Sequence, residues 1–368
     1  MFRPLLCNGE VLRTFKNTKR TTYLNKMLNE KEIAVLREEL ETAKNPLFFY
    51  DDDGDGVCSF LLLYRMKREG KGVIVKSAPK LDARFLHKVE EYNPDKIFVL
   101  DVPMIEQDFI DGAKRPIFWI DHHGPYALER VKYFNPRLTD PSAYIPTSRM
   151  AYQVSGNKND LWLAAIGCLY DWYMPDFIDE FIEKYPDLLP HRADLEEAVY
   201  KQPVGKLVRI ISFLLKGPTH EVKNSIKVLS RIKEPQEILQ QSTSQGKFLY
   251  KRFEKINEKY EELLGQAKKR ATRSKLLLFY YLENKWSFTA DLANELVNVY
   301  PNKVILIARK KGDEMKCSLR SKNNVRTALE KALVGIQGYG GGHENACGTV
   351  IKEESWDQFL KNLKEEIK

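Results

Sequence analysis

Three short apolar runs, Leu47-Phe48-Phe49-Tyr50, Ile97-Phe98-Val99-Leu100 and Ile117-Phe118-Trp119-Ile120, each stop at an aspartate: Asp51, Asp101 and Asp121. Runs of this length and composition read as buried strands. Between them the chain offers a mostly apolar helix over 57–67, a strand over 73–75 and a helix over 83–92. Strands separated by short helices predict βαβ crossovers and a parallel sheet. The three acidic strand ends then share one edge, the edge where open α/β sheets bind ligands.

The third run continues into Asp121-His122-His123. Burial does not accommodate three consecutive polar side chains unless something binds them. A further acid, Asp171, ends the apolar helix Trp162 to Tyr170, where it is costly unless paired or ligated. Asp51, Asp53 and Asp55 alternate in the turn Asp51-Asp52-Asp53-Gly54-Asp55-Gly56. A calcium loop of the EF-hand type would need a glutamate where Leu62 stands and an incoming helix where Phe48 and Phe49 stand. Two readings remain: solvated turn acids, or a binuclear metal site. In the second, Asp53 and Asp55 face neighbouring cations, Asp101 bridges them, and His122 and Asp171 complete the shells. Two divalent ions roughly 3.5–4 Å apart suit phosphoester hydrolysis. Carboxylate and imidazole donors without thiolate favour Mn2+ or Mg2+ over structural zinc.

Residues from about 176 to 272 read as helical, and Leu249, Phe253, Ile256, Tyr260 and Leu263 recur at spacings of three and four. The run from Lys268 to Lys275 carries five positive charges and no negative one, either a solvated face or a phosphate-tracking patch. A second α/β unit follows, with strands at 275–281 and 303–308 around a helix at 290–299. The expected organisation is a two-domain α/β protein: a catalytic parallel-sheet domain at 1–175, a helical region and linker at 176–272, and a smaller α/β domain at 273–368. The net charge of +8 leans toward polyanionic partners. Five cysteines without CxxC spacing indicate neither a disulfide framework nor a zinc ribbon, which suits a reducing cytoplasm. The stretch Met1 to Asn8 lacks a signal-peptide core, and no run approaches the roughly 18 apolar residues that span a bilayer, so no membrane is expected.

Taken in order, Asp51 to Gly56 with Ser59, Leu100-Asp101, Asp121-His122-His123 with Asn135-Pro136, and Gly167-x-x-x-Asp171 resemble the four motifs of the DHH phosphoesterase superfamily. Ser318-x-Arg320-Ser321 and Gly340-Gly341-Gly342-His343-x-x-Ala346-x-Gly348 resemble the substrate-binding domain associated with it. The resemblance covers residues 46 to 352. It implies that Asp53, Asp55, Asp101, His122 and Asp171 ligate two ions. Asp51 sits where the RecJ-like branch has a further acid, and Phe49 stands where other branches have histidine. His123 matches the position that contacts phosphate or protonates the leaving group, and Asp121 would orient an imidazole. Glycines Gly340 to Gly342 would let backbone N–H groups approach a phosphate that Arg320 clamps, with Ser318, Ser321 and His343 adding hydrogen bonds. The cleft would hold ions on the first domain and grip substrate with the second.

The implied activity is a Mn2+- or Mg2+-dependent exonuclease on single-stranded DNA or RNA that releases mononucleotides, with replication or repair proteins as possible partners. Without the usual extra domains of bacterial RecJ, the chain suggests an archaeal-type minimal form. Hydrolysis of short oligoribonucleotides, cyclic dinucleotides or 3′-phosphoadenosine phosphate is the alternative within the superfamily. A catalytically silent scaffold is a third.

Overall fold

In the apolar runs, successive side chains leave opposite faces of the strand, so a run apolar throughout needs cover on both sides. The computed structural model describes residues 27–76, 80–282 and 285–367, and provides that cover. Met1 to Asn8, including Cys7, lie outside the described residues. Chain contacts define two units, Met1–Leu215 with Ser225–Lys247 and Lys216–Asn224 with Phe248–Lys368.

In the first unit a helix α1 (Glu30–Thr42), started by an Asn29 and Glu32 capping box, precedes the sheet. Strand β1 (Leu47–Asp51) leads through the acidic turn into α2 (Gly54–Lys67). Then follow β2 (Lys71–Val75), α3 (Leu86–Tyr92), β3 (Ile97–Leu100), α4 (Gln107–Ala113), β4 (Ile117–Ile120) and β5 (Lys132–Phe134). All pairings are parallel and the order is β2-β1-β3-β4-β5. The parallel α/β arrangement expected from the runs is present. Leu47, Phe49, Val99, Ile117 and Trp119 pack with Val89, Phe109 and Ile110 of α3 and α4 on one face. On the other, the rings of Phe48, Phe98 and Phe118 stack at 5.5 and 5.1 Å, and Phe60 of α2 stacks on Tyr50 at 4.4 Å.

The order places β2 on one side of β1 and β3 on the other, so the chain reverses direction of winding between β1 and β3. This is the topological switch point of an open α/β sheet. Tyr50 pairs with Leu100 and Leu100 with Ile120, so Asp51, Asp101 and Asp121 emerge side by side.

The unit continues through α5 (Thr147–Ser155), the wholly apolar α6 (Leu161–Tyr170), α7 (Ile178–Lys184), α8 (Leu195–Tyr200) and α9 (Pro203–Leu214). Next come α10 (Thr219–Leu229), which spans the division at residue 224, and α11 (Gln236–Leu239). The long α12 (Ser244–Lys268) buries Leu249, Phe253, Ile256, Tyr260 and Leu263, the face its spacing predicts.

The second unit contains β6 (Leu276–Leu282), α13 (Thr289–Val299), β7 (Val304–Lys311), β8 (Glu314–Arg320), α14 (Arg326–Ala332), β9 (Gly338–Gly342), β10 (Ala346–Lys352) and α15 (Trp356–Glu366). Strands β6 and β7 run parallel, as a crossover through α13 requires. The other pairs are antiparallel, in the order β6-β7-β8-β10-β9. Leu306, Met315, Leu319, Cys347 and Ile351 face Leu329 of α14 with Phe359 and Leu363 of α15. Among the described residues, no helix is long and apolar enough to cross a membrane.

Candidate functional site

The acidic turn is shaped by its own residues. Asp53 stands at the N-cap of α2 and its carboxylate accepts the Gly56 N–H at 2.9 Å. The helix therefore begins at Gly54, inside the segment that its Asp and Gly content marks as a turn. A Cβ at Gly56 would meet the Asp51 carbonyl oxygen at 2.7 Å, so glycine lets the helix start press against the end of β1. Asp55 points inward and is fully buried. It accepts backbone hydrogen bonds from Thr147 at 2.7 Å and Ser148 at 2.9 Å, the first residues of α5. A carboxylate at a helix N-terminus gains about 0.3–2 kcal/mol from the exposed N–H groups and the helix dipole. That is less than the several kcal/mol an ion loses on leaving water. Burial, and then the Asp53 charge, push the Asp55 pKa up to about 7.

The other acids behave alike. Asp101 is buried with φ +61, a left-handed backbone that a non-glycine residue adopts only where its surroundings hold it. Burial and the charges of Asp55 and Asp53 raise its pKa well above the usual carboxylate range. Thr147 donates its hydroxyl to Asp101 at 3.1 Å. Burial, followed by the Asp55 charge, lifts Asp171 to about 9; burial, followed by Asp53, lifts Asp51 to about 8. Asp53 is raised by burial as well. Five carboxylates that repel one another across a buried strand edge need positive charge between them.

His122 lies among them, with Nε2 3.3 Å from Asp101 and Nδ1 3.6 Å from Asp171. The buried Nδ1 makes no hydrogen bond. Burial, and next the charge of His123, depress the His122 pKa to about 3, so the ring is neutral and able to ligate. Among the described residues, ligating atoms of Asp101, His122 and His123 lie within 4.8 Å of one another, and so do those of Asp55, His122 and Asp171. The oxygen and imidazole donor set, with an orphaned ring nitrogen at its centre, fits divalent cations of the Mn2+ or Mg2+ class.

His123 is held differently. Its Nδ1 lies 2.7 Å from Asp121, whose other oxygen accepts the His123 N–H at 3.0 Å. Tyr133 and Asn135 also donate to Asp121, at 3.1 and 3.4 Å. Burial works to lower the His123 pKa, but the Asp121 hydrogen bond and charge, with Asp53 and Asp51, carry it above the ordinary value. The His123 side chain stays 40% exposed, and the Asp121 side chain is fully enclosed.

Asp51 and Asp53 fall outside both three-residue clusters, although each carries the electrostatic signature of the group. Three participants carry no signal in the triplets. Thr147 and Ser148 bind Asp55 through their backbones. Tyr144 donates its hydroxyl to the carbonyl and carboxylate of Asp171, at 2.9 and 2.8 Å. Only the Pro146-Thr147-Ser148 sequence at a helix start could have drawn attention to the first pair. The glycine at 167 permits the close crossing behind the site, since a Cβ there would meet the Ser148 hydroxyl oxygen at 2.5 Å.

In the second unit, Gly340 to Gly342 form part of the edge strand β9. Gly341 pairs with Gly348 and Gly348 with Ser318 across the sheet. These three therefore share a face with Arg320, two residues beyond Ser318. Arg320 donates to Asn294 at 2.6 Å and to the Cys347 carbonyl at 3.1 Å. Ser321 accepts the Asn323 N–H at 3.1 Å, and exposed His343 begins the turn into β10.

A family model described as DHH family, N-terminal domain, matches residues 47–170, and one described as DHHA1 domain matches residues 276–368. Comparison with curated protein sequences finds no match. Among solved structures, RecJ from Thermus thermophilus in complex with Mn2+ superposes with a TM-score of 0.67 at 16% identity, over 91% of this chain and 54% of that one. The chain thus spans about half the length of that RecJ. An exonuclease RecJ bound to manganese gives 0.58 at 16% identity, over 93% and 94% of the two chains. The DHH domain of a member of the s1p family of ribosomal proteins gives 0.63 at 14% identity, over 98% of each. With both family models matched in order and a RecJ-like fold around the strand-end acids, the chain belongs to the DHH family.

Proposed function

We propose that this protein is a metal-dependent phosphodiesterase that degrades single-stranded DNA or RNA from one end and releases mononucleotides. The observation that carries the reading is the cluster of buried Asp55, Asp101 and His122 with half-buried Asp171 at the switch point of the sheet. Asp51, Asp53, Asp55, Asp101, His122 and Asp171 would hold two ions, Mn2+ or Mg2+. When bound, such ions supply Lewis acidity toward phosphate oxygens and lower the pKa of a coordinated water.

The chain's own groups do the rest. His123, whose cationic form Asp121 favours and whose side chain is partly open to solvent, donates a proton or hydrogen bond to the phosphate or to the leaving oxygen. Asp121 holds the imidazole in one orientation through Nδ1, which leaves Nε2 for substrate. In the second unit Arg320, Ser318, Ser321, His343 and the N–H groups of Gly340 to Gly342 take another phosphate or the nucleotide. The exposed basic stretch Lys268 to Lys275 supports a polyanionic substrate.

The test is digestion of end-labelled single-stranded DNA and RNA in Mn2+, alongside a dinucleotide. Processive release of mononucleotides from a long strand is expected, and faster turnover of the dinucleotide would move the protein to the short-oligonucleotide reading. Asp101→Asn keeps a residue that tolerates positive φ and should lose more than about 100-fold in rate. Unchanged hydrolysis by folded Asp101→Asn would remove the metal assignment.

A further inference from the structure

Among the described residues of the first unit, four large apolar side chains remain exposed, and all four lie in segments that follow β3 or β5, precede α5 or border Asp171. Met104 (45% exposed) follows Asp101 in the loop after β3, and Leu138 (56%) follows Asn135 in the loop after β5. Tyr144 (43%) precedes α5, and Trp172 (39%) is the residue after Asp171. Single exposed apolar residues are ordinary on protein surfaces. Four confined to the loops around one acidic strand edge are a built feature.

The two aromatic members are fixed to the same residue. Tyr144 is bonded through its hydroxyl to the Asp171 carbonyl and carboxylate, and its ring centroid lies 5.4 Å from that of His122. Trp172 continues directly from Asp171 with φ +54, a conformation that a bulky side chain adopts only under constraint. Its N–H is held by the Leu169 carbonyl at 3.2 Å, and its indole lies 5.8 Å from the Tyr200 ring. A strained backbone thus sets an exposed indole beside an acid of the cluster, and a hydrogen bond sets an exposed phenol ring against the same acid.

We propose that Tyr144 and Trp172 form a stacking platform for the unpaired bases that adjoin the phosphate at the cluster, with Met104 and Leu138 extending its apolar rim. The proposal rests on the phosphodiesterase reading above. The acids and histidines recognise only phosphate, which single and double strands share. Flat aromatic faces recognise a base of any identity, but only one released from its neighbours in a duplex. The platform is therefore what confers preference for single strands.

The experiment uses the full chain in Mn2+ and compares an ordinary single-stranded DNA with the same strand made abasic at the two nucleotides nearest each end. RNA strands and a dinucleotide run in parallel to show whether the platform serves both sugars and whether one base suffices. The abasic strand should raise KM on the order of 10-fold, more than it changes kcat. Trp172→Leu and Tyr144→Leu should reproduce that rise on the ordinary strand and add little on the abasic one. Tyr144→Phe keeps the ring and loses the bond to Asp171, so it should lower kcat while holding KM. Equal KM for the two strands in the unaltered protein overturns the platform, as do equal losses on both strands in the leucine variants. If no strand is hydrolysed, the phosphodiesterase reading fails by itself. Equilibrium binding of the labelled strands to the unaltered protein then decides: preference for the ordinary strand by about 10-fold supports stacking, and equal affinity overturns it.

Discussion

Asp55 and Thr147, 92 residues apart, meet through a backbone N–H to carboxylate hydrogen bond of 2.7 Å. The same carboxylate accepts from Ser148, so one acid both closes the N-terminus of α5 and joins the cluster around His122. This double use separates structural from metal-binding roles. With a chelator present, Asp55→Ala should cost about 1–3 kcal/mol in urea unfolding, because two buried N–H groups lose their acceptor. Asp171→Ala loses the Tyr144 hydrogen bond and the 3.6 Å contact with His122 but leaves no buried backbone N–H without its acceptor, so it should cost less than Asp55→Ala under the same conditions. Equal losses for the two variants would show that Asp55 has no special structural role.

Cation binding should be linked to pH through the same acids. Asp51, Asp55 and Asp171 have folded pKa values raised to about 8, 7 and 9, so the folded chain holds protons that the unfolded chain has already released. Without a cation, the stability that these three acids contribute is fully present below the usual carboxylate range and is lost as pH rises through these values. Mn2+ should reverse that fall, and its stabilising effect should grow between about pH 5 and 9. Thermal unfolding with EDTA and with Mn2+ across that range checks it, and an Mn2+ effect independent of pH would contradict it.

Asp121 should act on His123 through its charge. Its hydrogen bond and negative charge favour the imidazolium form. In chelated protein, Asp121→Asn should lower the His123 pKa read by NMR, since the neutral amide no longer stabilises the cation. The variant should also turn over substrate more slowly, by about 10–100-fold, because the ring loses its orienting partner. An unmoved titration would mean that Asp121 serves packing alone.

The glycines of β9 can be separated by two substitutions. A Cβ at Gly341 meets nothing within 4 Å, whereas at Gly342, with φ +140, it would meet the Ala346 carbonyl oxygen at 2.4 Å. Gly341→Ala should leave the melting temperature unchanged and raise KM if substrate approaches that backbone. Gly342→Ala should destabilise the second unit by more than about 1 kcal/mol. Unaltered kinetics in Gly341→Ala would remove the glycine face from the substrate path.

Local chemistry made much of the protein legible. The apolar runs before Asp51, Asp101 and Asp121 are strands because their side chains have no other place to go, and their shared edge follows from parallel winding. The buried stripe of α12 follows from its spacing. Cooperation across distance was not legible. That Asp55 is received by Thr147 and Ser148, that Tyr144 leans on Asp171, and that Gly341 lies beside Gly348 and Ser318 in a sheet depend on which elements pack together. The left-handed backbones of Asp101 and Trp172 belong to the same class, since neither residue prefers that conformation and only a packed surrounding holds it. By itself, then, the sequence determined which groups reach the strand edge. Tertiary packing decided how far each acid is removed from water and what each one leans on, and those two quantities make a row of aspartates a place for cations.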